Sequence, residues 1–147
     1  MRILVCVDGS EQSKRALEET VYIAGGYNVE EVSVIHVLNY RPESHGEVAF
    51  PANEQLEYYN QLKHKAKSDS QHILSEAVKL LESKKLKVNP IFKEGHPATI
   101  INKLAEAEGY DIIILGSKGL SGLKKVLFGS VSNAVLQGAQ CNVYIVK

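Results

Sequence analysis

The sequence predicts an α/β fold: one domain on an open five-stranded parallel sheet, order 3-2-1-4-5, with helices on both faces. Three observations carry that expectation. Five apolar runs alternate with segments whose apolar residues recur at helical spacing. Two of those runs, "RILVCVD" (2–8) and "YDIIILGS" (110–117), are apolar without alternation, as strands of a parallel sheet buried on both faces are. At 147 residues the chain has the size of a single domain with a substantial core. The strand order is that of the common doubly wound pattern, in which every crossover is right-handed.

In chain order, the first run ends at Asp8-Gly9-Ser10, and Leu17, Val21 and Ala24 follow at helical spacing. Ser10 is placed to cap that helix and Gly25-Gly26 to stop it. "EVSVIHVLN" (31–39) reads as the second strand, and "NYRPESHGEVAFPAN" (39–53) as the long irregular connection after it. From Leu56 onward, Leu62, Ala66, Ile73, Ala77 and Leu80 carry one face as far as about Ser83. That helix is about 40 Å long at ~1.5 Å per residue. "LKVNPIFK" (86–93) is the third strand. Pro97 opens the next helix, where its missing N–H costs nothing, with Ile100, Ile101, Leu104 and Ala105 inward and Gly109 at its end. The fourth strand runs into "GSKGLSGLKKVLFGS" (116–130). Ser130 then opens the last helix, with Val131, Ala134 and Val135 inward and Gly138 at its end, and "CNVYIVK" (141–147) closes the sheet.

Composition narrows the function. Charged residues at 23% and hydrophobic ones at 44% describe an ordinary globular chain. Lys plus Arg and Asp plus Glu balance at 17 each, so the global basic field of a nucleic-acid binder is missing. No apolar run approaches the ~20 residues of a membrane span, and "MRILVCVDGS" does not follow the secretory pattern. A cytoplasmic protein is expected, with no nucleic-acid or membrane partner. Cys6 and Cys141, in no ligand spacing, are expected as buried free thiols. His36, His45, His64, His72 and His96 are scattered, so no metal site built by the protein alone is expected.

In an open parallel sheet, ligands bind where the strand order reverses, here between strands 1 and 4. The loops leaving those strands are "DGS" (8–10) and the glycine- and lysine-rich segment 116–130. The Walker string G-x-x-x-x-G-K-[ST] is absent, and no G-x-G-x-x-G follows the first strand. The spacing is instead G-x2-G-x9-G-S, set by Gly116, Gly119, Gly129 and Ser130. With "ILVCVDGS", "VIHVLN", "EGHPATII" and "DIIILGSKG" in the same order along essentially the whole chain, the sequence resembles the ATP-binding branch of the universal stress protein family.

That resemblance implies ATP (or ADP or AMP) as ligand, with Mg2+ or Mn2+ arriving on the phosphates. It implies that Val7, Asp8 and the adjoining Gly9-Ser10 turn lie at the nucleoside, with Leu115 near the sugar. Val37 would pack, or hydrogen-bond through its backbone, near the base. Gly116 and Gly119 would let backbone amides approach the phosphates. Gly129, Ser130 and Val131 would present the last helix's N-terminus to an anion. Lys118 offers a cation where the family often has His or Arg, and Asn142 stands where it commonly has Pro. More than one reading stays open at several positions. Asp8 can serve a ribose hydroxyl, water on a bound metal, or its own turn; Ser130 can cap the helix, contact phosphate, or both; Lys124 and Lys125 can be phosphate-facing or simply solvated. A homodimer through 141–147, antiparallel about a two-fold axis, is also implied.

No nucleophile–base pair, paired carboxylates or arginine finger stands out near these loops, and only Asp8 could orient an attacking water. The expectation is a nucleotide-dependent regulator or sensor in stress response, with slow or no hydrolysis. The alternatives are an adenylating or hydrolysing enzyme on the same fold, and an interaction module whose loop is vestigial.

Overall fold

A computed structural model describes residues 1–29, 31–40, 51–120 and 128–147; His45, Lys124, Lys125 and most of the 39–53 connection lie outside them. The elements are β1 (Ile3–Cys6), α1 (Glu11–Gly26), β2 (Val32–Leu38), α2 (Ala52–Ser83), β3 (Val88–Glu94), α3 (Pro97–Glu108), β4 (Ile112–Gly116), α4 (Ser130–Gly138) and β5 (Asn142–Val146). The strands form one five-stranded sheet in the order β3-β2-β1-β4-β5, every pairing parallel, as the alternation predicts.

Neighbouring side chains of the central strands enter opposite cores, because strand side chains alternate. Ile3, Val5, Val7 and Ile114 pack with α1 and α2, while Leu4, Ile113 and Leu115 pack with α3 and α4. Ile3, Leu4, Val5, Ile113 and Ile114 are fully buried, which is why these runs carry no polar alternation. β3 lies at one edge. Val32 N–H donates to Lys87 C=O and Gly95 N–H to Leu38 C=O, so the odd-numbered residues of β3 face β2. Pro90 therefore turns its missing N–H to the free edge and removes no ladder bond.

The helices depart from expectation at their ends. Ser10 does cap α1, its Oγ accepting from Ser13 N–H at 3.1 Å. Gly25 and Gly26 are the last two helical residues rather than the stop, and the cap is Tyr27. α2 begins four residues before Leu56, at Ala52, and runs for 32 residues. Gly109 closes α3 in the left-handed conformation, φ 67°. Gly138 is the last residue of α4, and Ala139 caps it with extended backbone. Ser130 is not the N-cap of α4: Gly129 is, and Ser130 is the first helical residue.

At the carboxyl end of β3, Lys67 Nζ lies 2.6 Å from Glu94, which ties α2 to the sheet and holds the Glu94 carboxyl below its ordinary value. Among the described residues, no helix is long and apolar enough to cross a membrane.

Candidate ligand-binding site

A cleft of about 670 Å³ opens at the carboxyl ends of β1 and β4, the point where the strand order reverses. Its floor comes from strand residues of the α3/α4 core, Cys6, Ile35, Val37 and Leu115, and its wall from Pro97 and Ile101 of α3. Of the residues singled out in the sequence, Val7, Asp8, Ser10, Val37, Leu115, Gly116, Lys118, Gly119, Gly129, Ser130 and Val131 line it. Gly9 does not. Its φ of 83° makes the turn, and a Cβ there would meet Ile73 of α2 at 3.0 Å.

Asp8 joins the two loops. One carboxylate oxygen accepts from Ser10 N–H at 2.9 Å, so the turn-capping role is present. The other lies over Gly119, where a Cβ would come within 2.5 Å of it. Ser10 Oγ also donates to Lys118 C=O at 3.4 Å.

The three motif glycines have different reasons. A Cβ on Gly116 would sit 2.7 Å from Gln12 Cβ and 2.8 Å from Gln12 carbonyl carbon, so this glycine lets α1 lie against β4. Gly119 makes room for Asp8. A Cβ on Gly129 would meet Lys118 Cα and Ser117 oxygen at 3.5 Å, an ordinary contact, so the fold itself leaves that position open.

Ser117 organises the loop. Its N–H donates to Val146 C=O at 2.6 Å, and its C=O accepts from Gly129 N–H at 2.7 Å and from Ser132 Oγ at 2.8 Å. Gly129 N–H is thus already used. Among the described residues no hydrogen bond engages the amides of Lys118, Gly119, Ser130 or Val131, the last two being orphan donors of the first turn of α4.

Val37 offers a second edge that is unpaired among the described residues. Val7 N–H donates to Ile35 C=O at 2.9 Å, so residues 35 and 37 of β2 turn their backbone groups toward β1. β1 ends at Cys6, and the next rung, Val37 N–H to Val7 C=O, is not made. Val7 C=O takes the His36 ring instead, Nδ1 at 2.8 Å.

Cys6 and Cys141 are free and half-buried, rather than fully enclosed. Burial, reinforced by the Asp8 charge, pushes the Cys6 thiol far above its ordinary value, so on the cleft floor it is an uncharged apolar group and not a nucleophile. Sequence reasoning missed Ser13, Ile35, Asn39, Pro97, Ile101, Leu120, Phe128 and Ser132, which also line the cleft. The motif spacing marks the loop glycines; Ile35 and Asn39 are brought in by the register of β2, Ser13 by the docking of α1, and Pro97, Ile101 and Ser132 by the docking of α3 and α4, to which spacing is blind. Among the described residues, no three His, Cys, Asp or Glu side chains cluster as a metal site.

Fold and cleft together define a doubly wound α/β protein with a ligand-sized cavity at its switch point. The chain belongs to the universal stress protein family, whose sequence pattern matches residues 1–147. It is 30% identical to universal stress protein YxiE of Bacillus subtilis, over 99% of this chain and 98% of that one. It is 33% identical to universal stress protein MJ0577 of Methanocaldococcus jannaschii, over 99% and 94% of the two chains. The solved MJ0577 structure superposes with a TM-score of 0.81 over 99% of this chain and 94% of that one, at 34% identity. A universal stress protein of Archaeoglobus fulgidus, solved in complex with dAMP, shares the fold at a TM-score of 0.70 and 21% identity, covering 100% and 98% of the two chains.

Proposed function

We propose that this chain binds an adenine nucleotide in the switch-point cleft, ATP foremost and ADP or AMP by the same contacts, and acts as a nucleotide-dependent regulator or sensor in stress response. The carrying observation is that one cleft is lined both by an unpaired strand edge at Val37 and by the amides of Lys118, Gly119, Ser130 and Val131, which have no partner among the described residues. Adenine presents an acceptor ring nitrogen beside a donor amino group, which an outward-facing N–H and C=O match. Phosphate oxygens match the free amides and the positive end of α4. The ribose lies against Val7, Asp8 and Leu115. The dAMP complex of the A. fulgidus relative supports an adenine nucleotide as a ligand of this fold.

Asp8 is a negative charge on the same rim, so a cation is needed between it and the phosphates. Lys118 supplies one. Mg2+ or Mn2+, held mainly by phosphate oxygens with Asp8 reaching it through water, would supply another and neutralise the phosphate charge. The Asp8 carboxylate on the cleft rim is an oxygen donor of the type such an ion takes.

Among the described residues no arginine lines the cleft and only Asp8 could orient a water, which supports slow or absent hydrolysis. The cytoplasm is the compartment proposed. Self-association belongs to the same reading: β5 is an edge strand with neither charge nor proline, and Tyr144 lies 41% exposed on it, so a second copy would pair there.

Thermal melting tests the ligand. At a concentration a hundred times Kd, Mg-ATP stabilises by about 2.7 kcal/mol, a rise of about 5–10 °C for a domain of this size. Gly119→Val should abolish the rise. An unchanged curve in millimolar Mg-ATP would leave an interaction module with a vestigial loop, and turnover that climbs with a small-molecule acceptor would mark an enzyme.

A further inference from the structure

We propose that His36 is the positioning residue of the cleft's base-reading edge: by occupying the Val7 carbonyl, it keeps the Val37 N–H free for the ligand. This rests on the adenine-nucleotide reading above. His36 is a buried polar side chain, 6% exposed, in the middle of an apolar strand. Its Nδ1 lies 2.8 Å from Val7 oxygen and its Nε2 lies 3.0 Å from Ser70 Oγ on α2. A carbonyl oxygen only accepts, so Nδ1 is the protonated nitrogen.

The parity of the β1–β2 ladder gives this bond its consequence. Cys6 pairs with Ile35, and Val7 N–H closes the rung on Ile35 C=O, so Val7 C=O is where Val37 N–H would bond next. With the imidazole N–H already there, β1 separates from β2 at the level where the cleft begins. The other ring nitrogen, an acceptor in this tautomer, is anchored to α2 by the Ser70 hydroxyl, whose alternative acceptor is Ala66 C=O at 2.7 Å. Phe92 stacks alongside at 6.3 Å and limits ring rotation. A leucine of similar bulk would fill the space and donate nothing, leaving Val7 C=O free to take Val37 N–H.

Two amide variants separate the ring's two bonds. Asparagine carries its amide nitrogen on Cγ, as the imidazole carries Nδ1; glutamine carries it one bond further, near Nε2. Binding of ATP and of ITP to wild type, His36→Asn, His36→Gln and His36→Leu would be measured by calorimetry. Inosine has a protonated ring nitrogen and a carbonyl where adenine has an acceptor and an amino group, so it cannot use the Val37 edge, while its phosphates are unchanged.

Wild type should prefer ATP over ITP by about ten- to hundredfold, the effect of one or two buried hydrogen bonds. His36→Asn should keep that preference. His36→Gln and His36→Leu should lose most of it through weaker ATP binding, with ITP affinity unchanged. In the free wild-type protein the Val37 amide should exchange with solvent quickly, and in His36→Leu it should be protected. Equal ATP preference in wild type and His36→Leu, or a Val37 amide already protected in free wild type, overturns the proposal and leaves nucleotide binding standing. Wild type that binds neither nucleotide overturns the functional reading instead. If His36→Leu does not fold, the contrast between His36→Asn and His36→Gln decides.

Discussion

Gly116 and Gly129 belong to one motif, yet the structure gives their substitution by alanine opposite outcomes. At Gly116 the new methyl would lie 2.7 Å from Gln12 Cβ, 2.8 Å from its carbonyl carbon and 3.0 Å from Ser13 N–H nitrogen. These atoms belong to the first turn of α1, which cannot swing aside as a side-chain tip can. Overpacking of this kind costs about 1–3 kcal/mol. For a domain near 150 residues, each kcal/mol moves Tm by about 2–4 °C, so Gly116→Ala should melt several degrees below wild type. At Gly129 the nearest atoms are 3.5 Å away and φ is −71°, an angle any residue adopts. The loss of a favourable N-cap costs a few tenths of a kcal/mol to about 1, and reduced freedom of the unfolded chain returns about 0.4–1. Gly129→Ala should therefore melt within about 2–4 °C of wild type, while the added methyl stands beside the Gly119 amide and reduces the Mg-ATP-induced rise. Urea or thermal unfolding of both variants, with and without Mg-ATP, reads the difference. Gly116→Ala melting with wild type, or Gly129→Ala losing as much stability as Gly116→Ala, would refute the division of the motif into a packing glycine and a ligand glycine.

Three further outcomes follow from named geometry. The folded chain holds the Cys6 proton far above the ordinary thiol value of 9.0, so its contribution to stability is complete below that value and declines as pH rises above it, where only the unfolded chain ionises. Cys6→Ala should flatten the alkaline limb of a denaturation–pH profile by up to about 1.4 kcal/mol per pH unit; superimposable limbs would show the thiol to be solvated. Lys85 has a φ of 63° in the turn between α2 and β3, so Lys85→Gly should raise stability by about 0.5–1 kcal/mol in urea unfolding, the relief of a left-handed residue less the entropy glycine brings. Asn142 N–H bonds Asp111 C=O and Val146 C=O accepts from Ser117, so Val143 turns its N–H to the free edge; Val143→Pro should convert the proposed homodimer to monomer in sedimentation while helical circular dichroism is retained.

The fold was legible because its signals are local. Unalternating runs at 2–8 and 110–117 mark strands buried on both faces, and Ser10, Pro97 and Gly109 mark helix ends through φ preferences and side-chain caps that act within a turn. Gly26 and Gly138 stand at the ends of their helices, but as the last helical residues and without the left-handed conformation that Gly109 adopts, because glycine permits that stop without requiring it. The loop spacing also reached the cleft: the motif glycines and the Asp8 turn meet at the switch point, as parallel topology demands.

What the amino-acid string determined by itself, then, was the alternation of elements, the sheet they form and the loop that carries the amides. What only the tertiary structure decided was which amides are free, why each glycine is a glycine, and what His36 does. Gly129 N–H is consumed by Ser117 C=O, Gly116 serves α1, and a histidine on an apolar strand occupies the Val7 carbonyl at which the next rung of the ladder would form. Each depends on atoms from segments as far apart as residues 7 and 36, or 12 and 116, whose approach is set by packing of whole elements and leaves no periodic trace in the chain.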